Sequence, residues 1–407
     1  MRFLHLTTFY PPWNFGGDGL FVQQLARALV RDGHEVEVAH CVDAFQTLSA
    51  SIPTLNNELT DDGIVIHSLK SKWGALSPLG THQTGYPVFK AAKLRQILRR
   101  EFDVVHFHNT SLLGPKAFEL VPQSTRTVSL HTSHELWLVC PTHTLWKNDA
   151  KVCDKRTCVS CTLHYKRPPQ WWRYTGMLHR ASKCVDQFLA PSEFVASTLA
   201  EHGFEYPVDY LPNFTADDLA VTARPLQSSP KPYIFYAGRL EPIKGLRWVI
   251  HAWEEISEVD LIIAGSGMQQ RELQEMAASN PRVKFLGRLP RTSLGQWYAG
   301  ALASIVPSIG YENCPLACLE SFSCRTPVLG FCQAGVKELI DKSNGGLLYK
   351  TPEQLKAAVQ WLLHDSSFRD RLASNGYDAW KSNWNERCHL DRYYAIIEQV
   401  QARKRSR

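Results

Sequence analysis

Short apolar runs alternate with amphipathic helical stretches along nearly the whole chain. Residues 3–6 read as a buried strand. Phe21, Leu25 and Leu29, with Val22 and Ala26 alongside, make one apolar face at helical spacing, and Gly33 stops that helix before a strand at 36–39. A loop at 7–19 holds Gly16-Gly17-Asp18-Gly19. Strand, glycine loop, helix, strand is the repeating unit of a parallel α/β sheet. Further strands are expected at 104–108, 127–131, 187–190 and 208–211, with Ser192 capping a helix. After a Pro- and Ser-rich linker at 222–232 the pattern resumes, with strands at 233–237, 260–264, 283–286, 303–307 and 327–330. One helix is expected over 385–402 and a frayed basic end over 404–407. Residues 43–63 read as loop. Residues 86–100 read as a basic helix with Lys90, Lys93, Arg95, Arg99 and Arg100 on a solvated face; a contact with an anionic membrane surface is the second use of such a face.

Composition narrows the class. A length of 407 residues allows two or three domains, each with its own core. Hydrophobic content of 44% and charged content of 21% fit a soluble globular protein. A net charge of +6 suits anionic substrates or an anionic membrane surface and is too weak to argue for nucleic acid. No signal-peptide layout and no membrane-spanning run stand in the sequence, so a cytoplasmic protein is expected, with a peripheral place on the inner membrane face as its closest approach to lipid. The 11 cysteines are then mostly reduced, and clustered ones point to metal before disulfide.

Two stretches carry chemistry. Glu312 and Glu320 stand in Gly310-Tyr311-Glu312-Asn313-Cys314-Pro315-Leu316-Ala317-Cys318-Leu319-Glu320. Pro315 suits a first helical turn, which puts Glu312 in the loop before the helix and Glu320 inside it. Upstream, the strand at 233–237 runs into Gly238-Arg239-Leu240-Glu241-Pro242-Ile243-Lys244-Gly245. A glycine turn followed by an Arg fork and a Lys point charge is a place to hold a diphosphate. Gly265 and Gly267 mark a second close-approach turn.

Glu-x7-Glu preceded by Gly-Arg-Leu-x3-Lys-Gly resembles the nucleotide-sugar half of the retaining family-4 glycosyltransferases of GT-B fold. The resemblance runs from the first strand to the last helix. It implies two Rossmann-like doubly wound domains facing across a cleft: an acceptor-side domain over 1–212, a donor domain over 213–385, and a C-terminal helix over 386–407 that packs back on the first. It implies a retaining hexosyltransferase using a UDP- or GDP-sugar, acting on a saccharide or lipid-linked saccharide of surface polysaccharide biosynthesis. By the same resemblance Gly16, Gly17, Gly238, Arg239 and Lys244 meet the diphosphate, with Gly265 and Gly267 near the nucleotide. Glu320 holds the ribose, and Glu312 holds the sugar hydroxyls beside the amides of Asn313 and Cys314. A strand-end histidine touches the donor sugar. His131 and His134 both compete for that role, and His131 is preferred because it closes its strand. Arg325, where many relatives carry glycine, becomes a candidate for sugar choice. No Asp-x-Asp motif is present, so no catalytic divalent metal is expected. Another GT-B enzyme, an epimerase or disaccharide synthase, is the near alternative; a zinc-containing nucleic-acid module is the distant one.

An insertion at about 136–175 stands apart. Cys140, Cys153, Cys158 and Cys161 form C-x12-C-x4-C-x2-C in polar, basic surroundings, with His143 and His164 nearby. So polar a stretch needs a staple. Structural Zn on four thiolates fits best, and the C-x4-C-x2-C part leaves an iron–sulfur cluster open. Trp171 and Trp172 follow among basic residues, set either to grip a glycan or lipid headgroup or to pack on the insertion.

Overall fold

The computed structural model describes residues 1–49, 63–216, 218–219 and 231–406. The chain divides into two compact units. One holds Met1–Asn148, Cys153–Leu211 and Leu390–Arg407; the other holds Asp149–Val152 and Pro212–His389.

Among the described residues the first unit carries a seven-stranded sheet. Its spatial order is Ile64–Leu69, Glu35–Cys41, Arg2–Thr7, Val104–Phe107, Val128–Thr132, Gln187–Ala190, Val208–Tyr210. Every pairing is parallel. Parallel sheets are covered on both faces, which is why the inner strands are almost continuously buried, histidines included. The helix Gly17–Arg31 lays Phe21, Val22, Leu25 and Leu29 on the sheet, and Gly33 follows it at φ +82. Each such side chain contributes roughly 1.5–3 kcal/mol of burial. The winding reverses between Arg2–Thr7 and Val104–Phe107. The loops leaving these two strands therefore diverge at their carboxyl ends, where open α/β sheets bind ligands.

The second unit repeats the plan with six parallel strands, in the order Val283–Gly287, Asp260–Ala264, Tyr233–Ala237, Ala303–Val306, Val328–Phe331, Gly346–Tyr349. Its core gathers Trp253, Ile263, Leu329, Tyr349 and Leu362. Here the reversal lies between Tyr233–Ala237 and Ala303–Val306. The chain closes with the helix Glu386–Arg405, whose residues from Leu390 onward belong to the first unit. There the Tyr393 hydroxyl lies 2.8 Å from His106 Nδ1.

Several expectations need correction. Residues 43–48 are not loop: Val42–Leu48 is a helix, while 50–62 and the linker residues 222–230 lie outside the described residues. The basic helix is shorter, Ala91–Leu98, and Lys90 is not solvated. Lys90 is 2% exposed, donates to Ser77 Oγ at 2.5 Å and faces the buried Asp43 carboxylate at 4.0 Å. The basic tail is not frayed at Lys404, which donates to Asp186 Oδ2 and to the Thr127 carbonyl, both at 2.7 Å. Arg325 stands at φ +55 just past the helix Leu316–Ser323, with its guanidinium 3.6 Å from the Tyr377 ring centroid. Glycine suits that left-handed turn sterically, so a glycine there follows from backbone geometry at the far end of that helix. No helix among the described residues is long and apolar enough to cross a membrane.

Candidate functional site

The second unit brings Lys244 and Glu312 together. Gly238 follows the strand Tyr233–Ala237, and Lys244 ends the short 3-10 turn Pro242–Lys244. Glu312 lies in the loop after the neighbouring strand Ala303–Val306, so both sit at the carboxyl ends of the two strands that flank the reversal. Lys244 Nζ donates to Glu312 Oε1, and Ser308 Oγ donates to the same oxygen at 2.5 Å. Burial alone would raise the Glu312 carboxyl. Lys244, Ser308 and Arg239 outweigh it and hold the group below the ordinary carboxylate range. Arg239 itself donates to Glu241 Oε1 at 2.6 Å. The Gly335 amide, at the start of the helix Ala334–Ser343, donates to the Glu312 carbonyl at 2.8 Å and fixes the loop's path. Asn313 and Cys314 complete that loop. Cys314 is buried, and burial pushes its thiol up to about 12.

Gly265 and Gly267 have a local task. A Cβ at Gly265 would stand 1.8 Å from the Gly238 carbonyl oxygen, and one at Gly267 would stand 2.4 Å from that of Leu240. Their close neighbour is the backbone of the turn at Gly238–Leu240. The Leu240 amide donates to Ser266 O at 3.0 Å, which locks the two turns together.

Glu320 is held by groups the sequence did not announce. Arg291 donates to Glu320 Oε1 at 2.8 Å and Tyr298 to Oε2 at 3.1 Å. Arg291 also binds Asp218 and Thr215. Burial raises the Glu320 carboxyl and Arg291 only partly offsets it. The available signal for Arg291 was its place just beyond the strand Val283–Gly287, in Arg288-Leu-Pro-Arg291, and that for Ser308 was the same strand-end logic.

In the first unit the glycine loop leads into the helix Gly17–Arg31, with Gly16 at its N-cap in extended conformation. The steric demand for glycine falls on Gly19 rather than Gly16: a Cβ at Gly19 would meet Asn14 Oδ1 at 2.4 Å and the Phe9 carbonyl at 2.9 Å. Asp18 in the first helical turn accepts from Asn109 Nδ2 at 3.0 Å. His131 does not end its strand. It is the fourth residue of Val128–Thr132, 3% exposed, with its ring packed against Phe118 and Phe188. His134 stands beyond the strand end against Phe21, close enough to Asp18 to feel its charge. A chain of rings leads inward from it: His134 Nε2 lies 2.9 Å from His108 Nδ1, and His108 Nε2 lies 3.0 Å from His5 Nδ1.

The four cysteines line one hollow, described below. The two tryptophans part company. Trp172 is buried, donates to the His82 carbonyl at 2.9 Å and shares the Arg173 guanidinium with Trp137; Trp171 is 59% exposed.

Residues 15–219 match the family described as Glycosyltransferase Family 4, and residues 231–365 match that described as Glycosyl transferases group 1. The chain is 26% identical over 402 residues to a D-inositol 3-phosphate glycosyltransferase of Frankia alni, covering 88% of each chain. The sucrose-phosphate synthase of Thermosynechococcus elongatus superposes with a TM-score of 0.74 at 18% identity, over 99% of this chain and 100% of that one. Anabaena HepE, solved in complex with UDP and glucose, gives 0.68 at 19% identity, over 98% and 100%. These likenesses establish the fold as GT-B.

Proposed function

The chain belongs to glycosyltransferase family 4, and from that premise we propose that it moves a hexosyl group from a UDP- or GDP-sugar to a hydroxyl acceptor with retention of anomeric configuration. The acceptor is a saccharide or lipid-linked saccharide of a surface polysaccharide pathway, and the reaction takes place on the cytoplasmic side. The observation that carries this reading is the Lys244–Glu312 pair, a cation and a carboxylate side by side at the point where the second sheet reverses. The UDP-bound Anabaena structure of the same fold supports a uridine donor.

Each member of the pair has a separate task once donor binds. Lys244 and Arg239 turn to the diphosphate, whose charge grows as the glycosidic bond lengthens. Glu312 is released to accept from sugar hydroxyls, beside Asn313 and Cys314. Gly16, Gly17 and Gly238 offer backbone to the diphosphate, and Glu320 accepts from the ribose. Protein cations, not a divalent ion, meet the leaving charge. The departing phosphate oxygen takes the proton of the attacking hydroxyl on the same face of the sugar, which preserves the anomer. His134, past its strand end and beside Asp18, is the better-placed histidine for the donor sugar; His131 is packing. Peripheral contact with an anionic membrane belongs to the same reading. Exposed Trp73 stacks on exposed Phe89 at 5.3 Å, near exposed Leu76 and Leu79, with Lys72 over the Trp73 ring. A structural zinc on the four cysteines completes it.

Melting shifts with UDP, GDP and ADP identify the base, and NMR of the product anomer identifies the stereochemistry. An inverted product would refute retention. Nucleotide binding with epimerised sugar and no transfer would make the chain a different GT-B enzyme.

A further inference from the structure

The cysteine insertion has little else to hold it. Between Cys140 and Cys161 the buried side chains other than Cys140 itself are Pro141 and Leu145. Four non-glycine residues there, His143, Leu145, Asn148 and Asp149, adopt positive φ, a backbone state that costs on the order of 1 kcal/mol or more at each. Such a segment needs a cross-link to keep one shape.

The fold delivers the four sulfurs to one place. Cys140 follows the 3-10 turn Leu136–Leu138 and is held by its amide to the Leu136 carbonyl at 2.8 Å. The Cys153 amide donates to the Leu145 carbonyl at 2.6 Å. Cys158 and Cys161 open the helix Cys158–His164 three positions apart, on one face. All four line a single hollow of about 20 Å³, with Thr142, Leu145, Trp146 and Thr157.

Charge agrees. Four thiolates around Zn²⁺ leave two negative charges. Lys147 and Arg156 line the same hollow, and Arg173, half-buried between Trp137 and Trp172, lies within reach of Cys140 and Cys158. The sulfurs stand wider than a closed site. The group of ligand atoms within 4.8 Å of one another among the described residues is His5, His106 and His108, whereas zinc–sulfur bonds of about 2.3 Å put tetrahedral sulfurs about 3.8 Å apart. On closure Cys140 gives up its 3.2 Å contact to Thr142 Oγ1 and Cys153 its 3.6 Å contact to the Lys155 carbonyl. The histidine group is already committed: both His106 nitrogens and both His108 nitrogens have partners.

We propose that Cys140, Cys153, Cys158 and Cys161 bind one structural Zn²⁺, which staples the insertion and through it the Trp137–Arg173–Trp172 stack. A closed shell of four thiolates leaves no position for water, so this ion takes no part in transfer.

Full-chain protein, purified anaerobically without added metal, is assayed for zinc, iron, sulfide and free thiols. About one zinc per chain is expected, with four thiols that react with a disulfide reagent only after a strong chelator removes the metal. Replacement by Co²⁺ should give intense thiolate charge-transfer absorbance. C158S and C153S should lose at least nine-tenths of the zinc, while C184S, whose thiol lies outside the hollow, should keep it. C158S should retain its melting shift with donor nucleotide, which separates this proposal from the reading of the donor site. Iron with sulfide, a pair of disulfides, insertion thiols that react freely in metal-free protein without a chelator, or zinc unchanged in C158S would each overturn it. The wild-type metal and thiol counts decide the matter even if a variant fails to fold.

Discussion

Acid should unfold the first unit at a pH where the second is still intact. His5, His40 and His131 are buried in it, and loss of hydration is the main force on each ring. Burial lowers His5 and His131 to about 3 and His40 to about 4, with His134 adding to the push on His131. In the unfolded chain each titrates near 6.5. The native state therefore holds neutral rings where the unfolded state binds protons. The stabilisation is complete above about pH 6.5 and drains away as pH falls toward the native values. At pH 5 the loss is about 2 kcal/mol per ring, or roughly 6 kcal/mol for the three. Whole domains are stable by only about 5–15 kcal/mol. Glu312 acts in the same direction but only in stronger acid, since its carboxyl is already held low; Glu320, raised by burial, acts in the opposite one.

The assay is urea unfolding at pH 8, 7, 6 and 5, with the transitions of the two units resolved. The first-unit transition should move sharply to lower urea between pH 6 and 5, and the second-unit transition should move little. His131→Phe supplies the control. A phenyl ring fits between Phe118 and Phe188, and the variant should lose one proton's worth of pH dependence, about 1 kcal/mol between pH 6 and 5. A flat profile from pH 7 to 5, or an unchanged slope in the variant, would refute the reasoning.

Lys244→Ala should lower kcat on the order of a hundredfold or more while weakening donor binding less, because its contact with the diphosphate strengthens as the bond breaks; near-normal turnover, measured at saturating donor, would misplace the site. Glu320→Gln should weaken nucleotide binding roughly tenfold, the worth of one charged hydrogen bond, read by titration calorimetry, with the melting temperature of the free protein as the check on folding. Lys90→Ala should destabilise the first unit by about 3–5 kcal/mol by stranding the buried Asp43 carboxylate, and the double change Lys90→Met with Asp43→Asn should recover part of that in the same urea assay. His134→Ala should depress turnover while His131→Phe leaves it near normal; the reverse order would return the sugar contact to His131.

The parallel sheets were legible because a strand buried on both faces must be written as an apolar run, as at Tyr233–Ala237 and Ala303–Val306. The strand ends that carry Lys244 and Glu312 were legible by the same logic, but the meeting of the two side chains was not. Pairings between distant residues were not legible. Spacing reports which side chains share a face, not what packs on that face. Lys90 was therefore counted as solvated although Asp43 waits on another helix, and Lys404 as frayed although Asp186 lies 218 positions away in sequence. His131 misled for a related reason: a histidine after an apolar run looks like the strand's polar end, but an uncharged imidazole can be core, and here its neighbours are phenyl rings.

The glycines carry the argument one step further. A glycine in a sequence says that something comes close, not what. At Gly265 and Gly267 the visitor is the turn at Gly238–Leu240, and at Gly245 it is the Pro307 carbonyl, 2.2 Å from where a Cβ would stand. Gly245 follows Lys244, and Pro307 precedes Ser308, the donor to Glu312. The strand-end loops that bear the cation and the carboxylate are thus pressed together backbone to backbone. The Lys244–Glu312 geometry rests on that contact rather than on the two side chains alone. A side chain at Gly245 would separate the pair without altering either charge, so the glycines here position the site even if none of them touches the donor.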